Sequence, residues 1–148
     1  MKKETAIRIF CSLLILLFAY AGLSKLTNYN LFQKELQDFP FISTSANFIA
    51  WFIPLIELIT VCLLFFSSTH LYGLYVSLIL LLLFTGFLIF MLAFDKNLPC
   101  SCGGIISRLS WKQHIVFNLI FIMSSIAGIV LYKQLHKTNS SKTKNSFS

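Results

Sequence analysis

Four long apolar runs separated by short polar interruptions dominate the chain, at roughly 6–24, 46–66, 71–94 and 112–132. Each is close to the ~20 residues that a helix rising ~1.5 Å per residue needs to cross a hydrocarbon core ~30 Å thick. The third run, with Leu78-Ile79-Leu80-Leu81-Leu82-Leu83 at its middle, is apolar all round and reads as a lipid-facing helix. The fourth carries Ser124 and Gly128 one turn apart, a pair of small residues that lets a neighbouring helix approach closely. Ser110 stands three residues before Gln113, a capping-box spacing that starts this helix near Trp111 and puts the indole at the membrane interface.

Between the first two runs, Leu31, Phe32, Leu36 and Phe39 recur at helical spacing among Gln33, Lys34, Glu35 and Asp38. That pattern predicts a short amphipathic helix on the membrane surface, ended by Pro40. The fold expected is therefore all-α: an integral membrane four-helix bundle, up-down, with a short interfacial helix between spans 1 and 2. Residues 1–135 form the membrane domain, and 136–148 form a basic, polar, disordered cytoplasmic tail. Lys2 and Lys3 before an apolar stretch, with Ala19-Tyr20-Ala21 after it, also fit a cleaved signal peptide. The length of that stretch and Glu4 in its flank favour a retained span.

Composition narrows the class further. With 57% hydrophobic and 11% charged residues, the chain has too little polar surface to enclose a soluble core of its size. Its net charge of +7 would raise nucleic acid as a partner, but the Lys and Arg stand at the ends of apolar runs and in the tail. No basic patch interleaved with stacking aromatics is present, so the charge is a topology signal and the partner it implies is the lipid bilayer. On the side of the termini stand Lys2, Lys3, Arg8, Lys133, Lys137, Lys142 and Lys144, and on the other Lys25, Lys34, Lys96, Arg108 and Lys112. Seven against five places the termini in the cytoplasm and the 95–110 connection on the extracytoplasmic side of a bacterial cytoplasmic (inner) membrane.

That connection contains Pro99-Cys100-Ser101-Cys102-Gly103-Gly104. Two thiols exposed to an oxidising compartment form disulfides, and a Cys-x-Cys ring is small enough to be strained and to exchange readily. Gly103 and Gly104 permit close approach by a partner, while Lys96, Arg108 and the N-terminus of the fourth helix favour a thiolate. Cys100 and Cys102 are thus the candidate redox residues. Two other readings stand beside this one: a structural disulfide that stiffens a docking loop on a membrane scaffold or assembly factor, and metal handling with His114 as a third ligand. Cys11 and Cys62 fall near the opposite ends of their helices, most of a membrane thickness away, and read as small buried hydrophobes.

Glu57 is the one acid inside an apolar run, three residues after Pro54. A carboxylate there must face the bundle interior, which makes Glu57 a third candidate, either as a proton acceptor beside a bound carrier or as a polar clamp between helices. Lys25 at the end of the first run is its partner or snorkels to the interface.

Tyr20-Ala21-Gly22-Leu23-Ser24-Lys25-Leu26, Pro54-Leu55-Ile56-Glu57, and Pro99-Cys100-Ser101-Cys102-Gly103-Gly104 before Trp111 and Asn118 resemble the methylamine-utilisation MauE family, within the DoxX-like redox-associated membrane proteins. The resemblance covers about Thr5 to Leu131. It implies a four-helix bundle whose extracytoplasmic cysteine pair serves disulfide formation or electron transfer with a thioredoxin-like partner. A looser similarity to disulfide-generating membrane oxidoreductases implies a quinone as electron acceptor. The chain lacks the second extracytoplasmic cysteine pair that those oxidoreductases use.

Overall fold

The computed structural model of the chain describes residues 2–37, 42–94 and 111–146. Five helices lie among them: α1 (Lys2–Thr27), α2 (Tyr29–Gln37), α3 (Ala46–Phe65), α4 (His70–Phe94) and α5 (Trp111–Ser146). Single turns of 3-10 helix precede α3 and α4 at Ser43–Ser45 and Ser67–Thr69, and the described residues hold no strand. α1, α3, α4 and α5 are long and apolar enough to cross a membrane, so the architecture is the all-α four-span bundle that the apolar pattern predicts. α5 begins at Trp111, where the Ser110–Gln113 spacing places its start.

Around the bundle, α1 packs against α3 and α5, and α4 against the same two, which leaves α1 and α4 on a diagonal. Each span buries one helical stripe. On α1 this is Ile7, Cys11, Leu14, Phe18, Gly22 and Lys25, and on α3 it is Ala46, Ala50, Pro54, Glu57, Thr60 and Leu64. The steps of three and four residues are those of one helix face. Leu14, Leu64 and Leu74 are fully enclosed at the centre of the apolar core. The outer faces carry exposed Leu16, Phe48, Phe65, Leu83, Ile120 and Met123, as a surface solvated by lipid requires.

Because the spans are apolar on every face, hydrophobicity does not tell inside from outside; polar and small residues do. Buried polar residues are Lys25, Glu57, Thr60, Ser77, Thr85, His114, Asn118 and Ser125. Four of them need no neighbour, since the hydroxyls of Thr60, Ser77, Thr85 and Ser125 donate to the carbonyls of Ile56, Gly73, Leu81 and Phe121 one turn back in their own helices. Small residues set the close approaches. A Cβ on Gly128 would stand 3.0 Å from a methyl of Leu74, so α5 meets α4 where the Ser124–Gly128 pair leads one to expect it. A Cβ on Gly73 would stand 2.9 Å from the backbone nitrogen of Leu64, which is what lets α4 turn back on α3 through the short Ser67–Thr69 connection.

Three expectations need correction or refinement. α4 is not lipid-facing throughout, because Leu74, Ser77, Leu81, Thr85 and Leu88 form a buried stripe against the bundle. The apolar face of α2 is not left to the membrane surface: Phe32 and Leu36 pack on Ala46 and Ala50 of α3, and Gln33 donates to Asn47 Oδ1. Cys62 is exposed on the outer face, unlike buried Cys11. The backbone of α5 is helical to Ser146. No Pro or Gly interrupts it after Gly128, and a helix already nucleated in the bundle extends at little cost.

Candidate functional site

A carboxylate in the middle of an apolar helix needs a reason to be inside, and α1 supplies it. Lys25 Nζ donates to Glu57 Oε1 at 2.7 Å, with the two side chains 4% and 5% exposed. The lysine does not snorkel. It stands on the inner stripe of α1, one turn after Ala21, whose carbonyl accepts a second hydrogen bond at 3.4 Å. Gly22 permits the approach: a Cβ there would already touch Leu58 and the Cβ of Glu57 at 3.4–3.5 Å, so α1 and α3 are in contact beside the pair. Two aromatic faces complete its surroundings, Phe84 of α4 at 5.3 Å and Phe32 of α2 at 5.9 Å from the ammonium. Both distances suit cation–π attraction. α2, held to the first turns of α3, therefore contributes Phe32 to the surroundings of the ion pair.

Beside the pair lies a cavity of about 280 Å³ bounded by all four spans. Phe18, Phe52, Phe84, Phe87 and Phe117 supply aromatic wall, and Lys25, Glu57, His114 and Asn118 supply its polar groups. Residues from the last turns of α1, the first half of α3, the second half of α4 and the first turns of α5 meet there. In an up-down bundle these are the same end, the one from which α4 leaves and α5 returns. The other end of the bundle has no equivalent cluster of polar groups among its buried residues.

Among the described residues, two buried polar atoms of this wall have no hydrogen-bond partner, Glu57 Oε2 and His114 Nδ1. Leaving such atoms unpaired away from water costs about 1–3 kcal/mol each, more for a charged group, so each calls for a partner, a water or another group, that the described residues do not supply. In contrast to the self-satisfied hydroxyls, these are a carboxylate oxygen that accepts and an imidazole nitrogen that donates or accepts according to tautomer.

Of the residues singled out in the sequence, Glu57 and Lys25 are brought together, while Cys100 and Cys102 lie outside the described residues, as does the helix-ending Pro40. His114, read in the sequence only as a third metal ligand, turns out to wall the cavity. Among the described residues no three His, Cys, Asp or Glu side chains gather as a metal site. Asn118 and the phenylalanine wall were not legible as site residues; the signal for them is His114 and Asn118 one turn apart in an otherwise apolar helix, the spacing of one buried face.

The family model described as methylamine utilisation protein MauE matches residues 3–131. No curated protein and no solved structure matches the chain.

Proposed function

As the chain belongs to the MauE family, we propose that it is a redox-associated protein of the bacterial inner membrane in which Cys100 and Cys102 exchange thiol and disulfide with an extracytoplasmic thioredoxin-like protein. The observation that carries this reading is two thiols separated by one residue, in the segment that joins α4 to α5 at the cavity end of the bundle. The termini are cytoplasmic by the charge count, the grouping is DoxX-like, and the role is to support disulfide formation or maturation of exported proteins in methylamine utilisation.

The chemistry is a pair of displacements. A thiolate of the partner attacks one sulfur of the Cys100–Cys102 disulfide, the other sulfur leaves as thiolate, and a mixed disulfide forms. The partner's second thiolate then attacks its own sulfur in that bond and departs oxidised, leaving Cys100 and Cys102 reduced. A small strained ring favours the first displacement. Restoring the disulfide passes two electrons and two protons to a membrane quinone, the acceptor that the resemblance implies, and Glu57, whose Oε1 is held by Lys25 and whose Oε2 has no partner among the described residues, relays a proton.

Single serine variants test the reading through the reverse step, because a lone thiolate that opens the disulfide of an oxidised partner has no second thiol with which to release it. Cys100→Ser or Cys102→Ser should accumulate a disulfide-linked species of higher mass on non-reducing gels, lost on reduction and absent from the double serine variant. If neither single variant traps a partner and the double variant supports maturation of exported proteins as well as the native chain, the loop is a docking surface on a scaffold and thiol exchange is not its activity.

A further inference from the structure

We propose that the polar corner of the cavity is hydrated from the end where α5 begins, and that water there makes His114 the group that hands protons to Glu57. The depths of the helix ends carry the first half of this. Lys25 stands two residues before the end of α1 and His114 three residues after the start of α5, so each lies within about 5 Å of a helix end. Glu57 stands eleven residues into α3 and Phe84 ten residues before the end of α4, about 15 Å from theirs. All four nevertheless line one cavity. α1 therefore ends, and α5 begins, about 10 Å deeper than the tips of α3 and α4, and α2 packs on Ala46 and Ala50 beyond the end of α1. Helix ends carry backbone N–H and C=O groups that have no partner within the helix, so two ends set level with the cavity bring groups that bind water to that depth.

The polar side chains carry the second half. Glu57 and His114 are each more than nine-tenths buried, and among the described residues Glu57 Oε2 and His114 Nδ1 have no partner. The Asn118 amide lines the cavity one turn further along α5. An acyl chain entering from lipid would leave these groups unpaired, whereas water donates to the carboxylate and pairs with the imidazole in either tautomer. A water needs two to four polar partners and about 10–15 Å³ of such a cavity, so about 280 Å³ has room for several beside the polar groups while the phenylalanine wall stays apolar. Through that water a proton moves without either residue shifting. The imidazole takes a proton at Nε2 and gives the one on Nδ1 to water, and the water gives one of its own to Oε2. Lys25 holds Oε1 at 2.7 Å, which leaves Oε2 as the oxygen that receives it.

The proton role rests on thiol exchange at Cys100 and Cys102 as the source of protons, whereas hydration depends on neither thiol, so the two are tested apart. For hydration, the four native cysteines are replaced and one is introduced by Asn118→Cys, or by Ala21→Cys on the α1 wall where the first variant does not fold. In lipid nanodiscs a charged, water-borne methanethiosulfonate should label it at least tenfold faster than a cysteine introduced by Leu83→Cys, at a position that lines the cavity but is 66% exposed on the outside of the bundle. Labelling no faster than at the Leu83 position would show a dry cavity and overturn the proposal. For the proton role, in the chain with its own cysteines, His114→Leu and His114→Gln should each slow the return of Cys100 and Cys102 to the disulfide after reduction at least tenfold. Glutamine keeps hydrogen bonds to water but cannot pass a proton from one ring nitrogen to another. Return at the native rate in His114→Gln would show that the imidazole only fills its place and overturn that role. A native pair that never cycles would overturn the exchange reading and the proton role together, while rapid labelling at Asn118 would still uphold the hydrated corner.

Discussion

Replacing Lys25 by Met leaves Glu57 inside the bundle without the ammonium that stands 2.7 Å from its Oε1. Methionine fills nearly the same volume, so packing against Phe84 and Phe32 is largely kept and the loss is electrostatic. With both side chains no more than 5% exposed, the orphaned carboxylate stays largely desolvated. Breaking one partner of such a pair costs about 3–5 kcal/mol, while removing both and filling the space with apolar groups is often close to neutral. The single variant should therefore be destabilised by about 3–5 kcal/mol, and Lys25→Met/Glu57→Leu should recover most of that loss. Cys11 provides the assay. It is 2% exposed, and as the last thiol in a Cys62→Ala, Cys100→Ser, Cys102→Ser background it becomes labelled only when the bundle opens. Its labelling rate along a denaturant series in mixed micelles gives the stability of each variant. A single variant within about 1 kcal/mol of its parent, or a double variant that loses the sum of the two singles, would refute the argument.

Gly73→Ala should cost about 1–3 kcal/mol in the same assay, since the new methyl meets the Leu64 backbone at 2.9 Å. Gly128→Ala should cost less, because what it meets at 3.0 Å is the end of the Leu74 side chain and not backbone. A reporter active only outside the cytoplasm should be active when fused after Ser107 and silent after Lys137; the reverse pattern would put the cysteines in a reducing compartment. Glu57→Gln keeps an oxygen that accepts from Lys25, so membrane abundance should hold while redox cycling of Cys100 and Cys102 stops. Normal cycling in an abundant Glu57→Gln protein would make Glu57 a helix clamp only.

The number, placement and length of the spans were legible because lipid leaves a chain few options: runs of about 20 apolar residues must be helices, and only short polar connections separate them. The start of α5 followed from Ser110 and Gln113, and the α4–α5 contact at Gly128 from small-residue spacing. Which face of α4 lies inward was not legible from hydrophobicity, because Leu81 and Leu82 are equally apolar and one is buried while the other is exposed. Ser77 and Thr85, eight residues apart on one face, mark the inside instead. Glu57 stood out as a lone acid, yet whether Lys25 would reach it depended on the contact of α1 with α3 at Gly22, a matter of packing that no local pattern encodes. The cavity is less legible still, since it exists only where the ends of four helices fail to fill the space between them.

Thiol cycling is most directly measured by trapping Cys100 and Cys102 in intact cells with an alkylating reagent of known mass, before and after a pulse of reductant. The pair should be disulfide-bonded in the resting state, take two adducts during the pulse, and return to the unmodified disulfide after washout, with Cys11 and Cys62 removed so that no other thiol contributes. A pair that stays in one state throughout, oxidised or reduced, while a control exported thiol protein responds to the same pulse, would contradict the account.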